Sequence, residues 1–192
     1  MAETVIGGDK IIPWFGGDAD HFLFHANIDI NKSHFGGIMV IKSFGIDSYR
    51  VVYITELGIK IFDMDFFKNG DFKLHYCLEA INRNSVIKTL KKDIGIMFEN
   101  ISEKNNVKFW KDPQYDKTLI RSKDRIGIKY YIVNNKTNKV EEISLNKSLR
   151  KKMNLHFYSE NGIDLDSLRI MHYNIKLNIQ LSRLHEIKSD VP

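Results

Sequence analysis

Ser48-Tyr49-Arg50-Val51-Val52-Tyr53-Ile54-Thr55-Glu56-Leu57-Gly58-Ile59-Lys60-Ile61-Phe62-Asp63-Met64-Asp65-Phe66 is the stretch on which the fold turns. Val, Ile, Tyr and Phe dominate its two halves, and such residues pack well on a pleated surface. The halves are divided at Glu56-Leu57-Gly58, where Gly58 can take a positive φ. The stretch therefore reads as a hairpin: strand, short tip, strand. A Leu at such a tip buries little within its own hairpin, and loops of this kind face solvent. Either Leu57 folds back onto the sheet or it is offered to a partner. Exposed leucines as such are common, because much of any protein surface is apolar.

Working outward, Phe22, Phe24, Ala26, Ile28 and Ile30 alternate with His21, Leu23, His25, Asn27 and Asp29 as one face of a strand. Phe35 to Lys42 is apolar on both faces. Asn69-Gly70 is a hairpin turn leading into Phe72, Leu74 and Tyr76. Five consecutive strands with short connections make an antiparallel meander. The period then changes: Val86, Leu90, Ile94 and Met97 recur at helical spacing, with Lys88, Lys91, Lys92 and Asp93 opposite and Asn84 or Ser85 as the cap. Period-two strands resume at Val107–Trp110, Thr118–Arg121, Arg125–Val133, Val140–Asn146 and Met153–Ser159. The final strand places Met171, Tyr173, Ile175, Leu177, Ile179 and Leu181 on one face. This pattern predicts about eleven antiparallel strands and one amphipathic helix, with residues 1–20 as an extended arm anchored by Trp14 and Phe15 and residues 21–192 as one domain.

The 192 residues suit one domain, and 43% hydrophobic with 28% charged residues is an ordinary globular balance. A net charge of +5 favours a weak approach to anionic membrane surfaces. One cysteine, Cys77, leaves no intrachain disulfide, and no run approaches the ~20 apolar residues of a membrane span. The N-terminus lacks the basic start and apolar core of an export signal, which by itself reads as cytoplasmic.

Many antiparallel strands curl rather than stay flat, and one helix covers only part of the concave face. Either side chains fill the remainder or it encloses a cavity for an apolar ligand. Strand alternation nominates Met39, Ile41, Val51, Tyr53, Phe62, Met64, Tyr130 and Ile175 as its wall, with Leu90 and Ile94 from the helix. Chemistry is thin by comparison. Asp63 and Asp65 share a face and His75 follows on the next strand, yet metal sites need three or four convergent ligands, so no metal and no other cofactor is expected. His21 and His25 share a face without a carboxylate motif beside them. Without a nucleophile elbow, phosphate loop or Cys-His pairing, no catalysis is expected. Lys108-Phe109-Trp110-Lys111 and Lys129-Tyr130-Tyr131 interleave bases with aromatics, as half-buried strands do, and nucleic acid is not expected as a partner.

Asp47-Ser48-Tyr49-Arg50-Val51-Val52, followed by Thr55-Glu56-Leu57-Gly58, resembles the Tyr-Arg strand and Pro-Leu-Gly loop of the bacterial outer-membrane lipoprotein-localisation receptor. The run Asn174 to Leu181 is similar to that receptor's closing strand, and the likeness extends loosely from about residue 22 to residue 185. Three features depart from the family: Glu56 stands where it has Pro, the lipidated N-terminal Cys motif is absent, and the Trp14-Phe15 arm takes the place of its N-terminal helix. The resemblance implies an unclosed β-barrel with a helical lid over an apolar cavity for acyl chains or lipoproteins. It further implies a monomeric, non-catalytic protein at the periplasmic face of the outer membrane, with Leu57 directed at the membrane or a partner. A structural or partner-binding envelope module without ligand transport is the alternative.

Overall fold

Runs of period two become strands wherever a neighbour can bury the apolar half, and here most such runs find one, although Phe72–Cys77 at the sheet edge leaves Leu74 and Tyr76 exposed. The computed structural model describes residues 11–15, 21–101, 104 and 107–184. The strands are β1 (His21–Ile30), β2 (Ser33–Gly45), β3 (Ser48–Thr55), β4 (Lys60–Phe66), β5 (Phe72–Cys77) and β6 (Val107–Asp112). They continue as β7 (Lys117–Lys123), β8 (Ile128–Asn134), β9 (Lys139–Lys147), β10 (Arg150–Tyr158), β11 (Ser167–His172) and β12 (Leu177–Arg183). All belong to one antiparallel sheet in the order β5-β4-β3-β2-β1-β12-β11-β10-β9-β8-β7-β6. The helix α1 spans Asn84–Met97 and follows a single 3₁₀ turn, Glu79–Ile81. The fold is mainly β, an unclosed antiparallel barrel with one α-helix among the described residues.

The count is twelve rather than about eleven because the final alternating run is not one strand. Met171 belongs to β11 and Leu177 to β12, and the chain reverses between them so that Ser167 pairs with Ser182. Read as one strand, Met171 to Ser182 would span about 40 Å, longer than its partners could accompany. Alternation alone is blind to such a reversal, which here also exchanges the faces. Ile170 and His172 point inward on β11, whereas Met171 lies opposite the outward Asn178 and does not share a face with the buried Leu177 and Ile179.

One row of inward side chains crosses seven strands through successive register pairs: Ile28, Ile179, Ile170, Leu155, Ile143, Tyr131 and Ile120. All seven are nearly inaccessible to solvent. The sheet curls strongly about this face. Phe98 stacks on Tyr49 of β3 at 4.3 Å between centroids, while the adjoining Glu99 bonds Lys129 and Tyr131 of β8. Between β3 and β8 lie six strands, so the two walls would stand about 34 Å apart in a flat sheet. Only a sheet wrapped around the end of α1 brings both to neighbouring residues.

The helix presents Leu90, Ile94, Ile96 and Met97 to this concave core, with Val86 and Ile87 only partly buried. Its polar face is narrower than the sequence indicates. Asp93, expected on the solvated side, is wholly buried, because His172 on the sheet reaches it. Nor does Asn84 or Ser85 cap the helix: the extended residue before it is Arg83, and no side chain accepts there. Of the expected arm, residues 11–15 are described. Ile12 forms a parallel bridge with Lys139, the Trp14 indole N–H donates to Val140 O at 2.6 Å, and buried Phe15 meets Phe22, Tyr49 and Phe98 edge-on.

Candidate functional site

Among the described residues the concave face is closely packed. Met39, Ile41, Val51, Tyr53, Phe62, Met64, Leu90 and Ile94 are all buried in the core cluster, and none of them lines a described pocket. Helix α1, Phe15 and Phe98 occupy the space that the sequence leaves open for a ligand. Two further wall positions are corrected by the backbone. Ile175 lies in the β11–β12 turn, exposed to solvent, because the strand that would have turned it inward ends at His172. On β8 the inward residues are Lys129, Tyr131 and Val133, so Tyr130 points to the other face. A one-residue shift exchanges the two faces of a strand. Lys129 conceals the true parity, since a lysine is ordinarily taken as solvent-facing.

A groove of about 350 Å³ lies beside Trp14 and Phe157, and a larger one of about 590 Å³ opens along the C-terminal half of α1. That volume is within the range of small-ligand sites. Tyr49, Phe66, Phe67, Ile96 and Phe98 supply its apolar lining. Lys68, Lys88, Lys91, Lys92 and Lys104 line it together with three carboxylates, Asp47, Asp71 and Glu99. Two of those carboxylates already have cations: Asp47 pairs with Lys68 at 3.0 Å and Glu99 with Lys104 at 3.1 Å. Lys91 lies over the Phe72 ring. The lining is therefore amphipathic with a cationic excess. Burial, with the Asp47 carboxylate second, pushes the Tyr49 phenol up to about 12, and its O–H donates to Phe15 O.

Two buried polar contacts fix α1 and the segment after it beside this groove. His172 Nε2 and Asp93 Oδ2 lie 2.6 Å apart, and neither side chain is more than 1% exposed. Past the end of α1, Glu99 accepts from Tyr131 at 2.7 Å and pairs with Lys129, whose ammonium also meets Asp124 at 2.8 Å. Burial pulls the Lys129 pKa down, but the Glu99 and Asp124 carboxylates outweigh it and leave the ammonium above its ordinary value.

Asp63, Asp65 and His75 do not converge. Arg50 grips Asp63 with two hydrogen bonds of 2.9 and 3.0 Å, and Lys60 adds a third contact. The Arg50 hydrogen bonds chiefly hold the Asp63 carboxyl at about 2. Asp65 instead faces His75 at 2.6 Å. Among the described residues no group of three His, Cys, Asp or Glu side chains is placed to hold a metal. His25 lies 3.6 Å from Glu56, and Cys77 is a free, half-buried thiol whose pKa burial raises.

At the β3–β4 tip, Gly58 takes φ +79°, its N–H donates to Thr55 O, and Ile59 N–H is held by the Thr55 hydroxyl. Leu57, on this braced turn, is 88% exposed.

No family model and no curated protein matches the chain. Among solved structures, a domain assigned to outer membrane lipoprotein sorting in Vibrio parahaemolyticus superposes with a TM-score of 0.53. The alignment covers 86% of this chain and 83% of that one at 7% identity. The chain shares the overall fold of that domain. A LolA superfamily protein from Nitrosomonas europaea aligns at a TM-score of 0.48 and 9% identity, over 88% of this chain and 86% of that chain. A DUF1329 family protein from Desulfovibrio piger aligns at 0.47 and 9%, over 88% and 85%.

Proposed function

We propose that the protein is a non-catalytic binder of lipid or lipoprotein acyl chains in the cell envelope, taking the chain in the groove beside α1. The observation that carries this reading is the pairing of an aromatic lining with a cationic excess. An acyl chain would lie against Tyr49, Phe66 and Phe98, while an anionic headgroup would meet Lys88, Lys92 or Lys104. Each buried methylene contributes about 0.8 kcal/mol, so a fourteen-carbon chain binds usefully even when partly covered. Leu57 is the natural point of contact with a membrane or partner during transfer, since inserting it gains about 1.5–3 kcal/mol and leaves no void in the fold.

Titration with a fluorescent fatty acid tests the groove. Saturable binding in the micromolar range is expected, and Gly95→Leu should weaken it about tenfold or more. The added side chain enters the groove, where its Cβ meets only the Phe66 ring at 4.0 Å. Replacing a helical glycine removes a cost of about 0.5–1 kcal/mol, so the variant should melt no lower than the parent. Equal affinity in the two proteins would remove the groove from the proposal. No saturable binding at all would favour a structural or partner-binding module. Leu57→Glu is expected to keep the melting temperature, leave fatty-acid affinity unchanged and reduce delivery of the bound chain to acceptor liposomes. A melting temperature lowered by several degrees would show that Leu57 belongs to the core.

A further inference from the structure

Three hairpin turns that are neighbours at one end of the sheet form a continuous edge of unusual composition. Asn31 N–H donates to Lys176 O, joining the β1–β2 turn to the β11–β12 turn, and Tyr173 N–H donates to Lys152 O, joining that turn to the start of β10. Across these turns the chain places Lys32, Lys147, Arg150, Lys151, Lys152 and Lys176 and no carboxylate. The carboxylates beside the edge are engaged: Asp29 with His34 at 2.7 Å, and Glu142 with Lys151 at 3.5 Å. The edge thus carries six basic side chains, of which Lys151 is shared with Glu142.

Among these charges stand three exposed apolar side chains. Leu149 is 99% exposed, Tyr173 56% and Ile175 42%. Leu149 is also conformationally expensive. Lys147 pairs with Arg150, so Ser148-Leu149 is a two-residue hairpin loop, and its φ values are +51° and +63°. Such a loop favours Asn-Gly, and a leucine in the left-handed region opposes folding. Neither the turn nor the core accounts for a leucine at this position. A fully projecting aliphatic side chain ringed by cations suits a surface that is anionic at the headgroup and fluid and apolar beneath it, because such a surface needs no matching pocket. Tyr173, with Lys151 Nζ 5.6 Å from its ring centre, carries the amphipathic ring found at that level.

We infer that this edge, formed by the β1–β2, β9–β10 and β11–β12 turns, docks the protein on an anionic phospholipid bilayer, with Leu149 inserted and the surrounding lysines and arginine at the phosphates. It is distinct from the groove and does not require it to be filled.

Co-sedimentation of the intact chain with ligand-free vesicles tests this. Binding is expected to mixed phosphatidylglycerol–phosphatidylcholine vesicles and not to phosphatidylcholine alone, and to be lost at high salt. A basic residue near an anionic surface strengthens binding about fivefold, so Arg150→Ser combined with Lys152→Ser should weaken it about 25-fold. Leu149→Asn should weaken it about tenfold or more while raising the melting temperature by about 2–4 °C, because asparagine tolerates the left-handed turn. That opposite movement of stability and binding is what a merely structural Leu149 would not produce. Gly95→Leu, which blocks the groove, should bind these vesicles as the parent does, so failure of the edge and failure of the groove read out separately. Equal binding to neutral vesicles, unchanged binding by Leu149→Asn, or preferential retention on an oligonucleotide would each overturn the inference.

Discussion

Replacing His172 with Leu is expected to destabilise the protein by about 3–5 kcal/mol, lowering its melting temperature by about 6–20 °C. The substitution leaves Asp93, wholly buried on the sheet-facing side of α1, with the Lys92 ammonium at 3.3 Å as its remaining charged neighbour among the described residues. An uncompensated buried charge is costly, whereas an apolar pair in the same space is well tolerated. The double variant Asp93→Leu/His172→Leu should therefore recover most of the loss. The coupling between the two substitutions, read from a double-mutant cycle of thermal melts, is the decisive quantity. The single variant should also take up more of a hydrophobic dye, since α1 loses its tie to β11. If His172→Leu costs less than about 1 kcal/mol, the helix is held by apolar packing alone and the pair is incidental.

The second large effect is expected at Lys129. Its side chain is fully buried and neutralises Glu99, which follows α1, together with Asp124 in the β7–β8 turn. Lys129→Met should cost about 3 kcal/mol, the low end of the range for a broken buried pair. The reason is that Glu99 keeps the Tyr131 hydroxyl and Lys104, and Asp124 keeps the backbone N–H groups of Ile126 and Gly127. The pH dependence follows from the sign of the shifts. Asp124 is held below its ordinary value of 3.8: burial works against this, but the Lys129 ammonium and the two N–H groups prevail. Its contribution is present above that value and lost as pH falls through the lowered one. The gap in melting temperature between Lys129→Met and the parent should therefore be constant near neutrality and narrow below about pH 4. A gap that persists undiminished in strong acid would mean that Lys129 acts through packing of its methylenes rather than through its charge.

These two contacts share a logic. On one wall of the curl α1 and its C-terminal extension are held by rings, Phe98 on Tyr49 and Phe66. On the other wall they are held by buried charge, Asp93 on His172 and Glu99 on Lys129. Aromatic packing is tolerant of sliding, while a hydrogen-bonded charge pair is satisfied at one position only. The combination fixes where α1 and its extension sit, and so fixes the width of the groove at its margin.

Local sequence determined the elements. Period-two alternation of β-branched and aromatic residues placed the first five strands, helical spacing of Val86, Leu90, Ile94 and Met97 placed α1, and Glu56-Leu57-Gly58 marked a tip that does project. These are short-range properties, set by which face of each segment is apolar, and they are readable without knowing what lies opposite. The fold class and the likeness to lipoprotein-localisation proteins rest on that information. The site does not. Whether the concavity is empty depends on how far the sheet curls and how deep α1 sinks, and both are set by contacts between residues dozens of positions apart. Lys129 and Asp93 read as solvated charges because each one's partner is supplied by a distant segment, Glu99 and Asp124 for the first and His172 for the second. Tyr130 and Ile175 were misplaced for the related reason that parity along a strand carries no record of a reversal or of a buried lysine. The lysines of the groove come from β4–β5, α1 and the segment after it, and only the wrapping of twelve strands around one helix brings them to the same mouth.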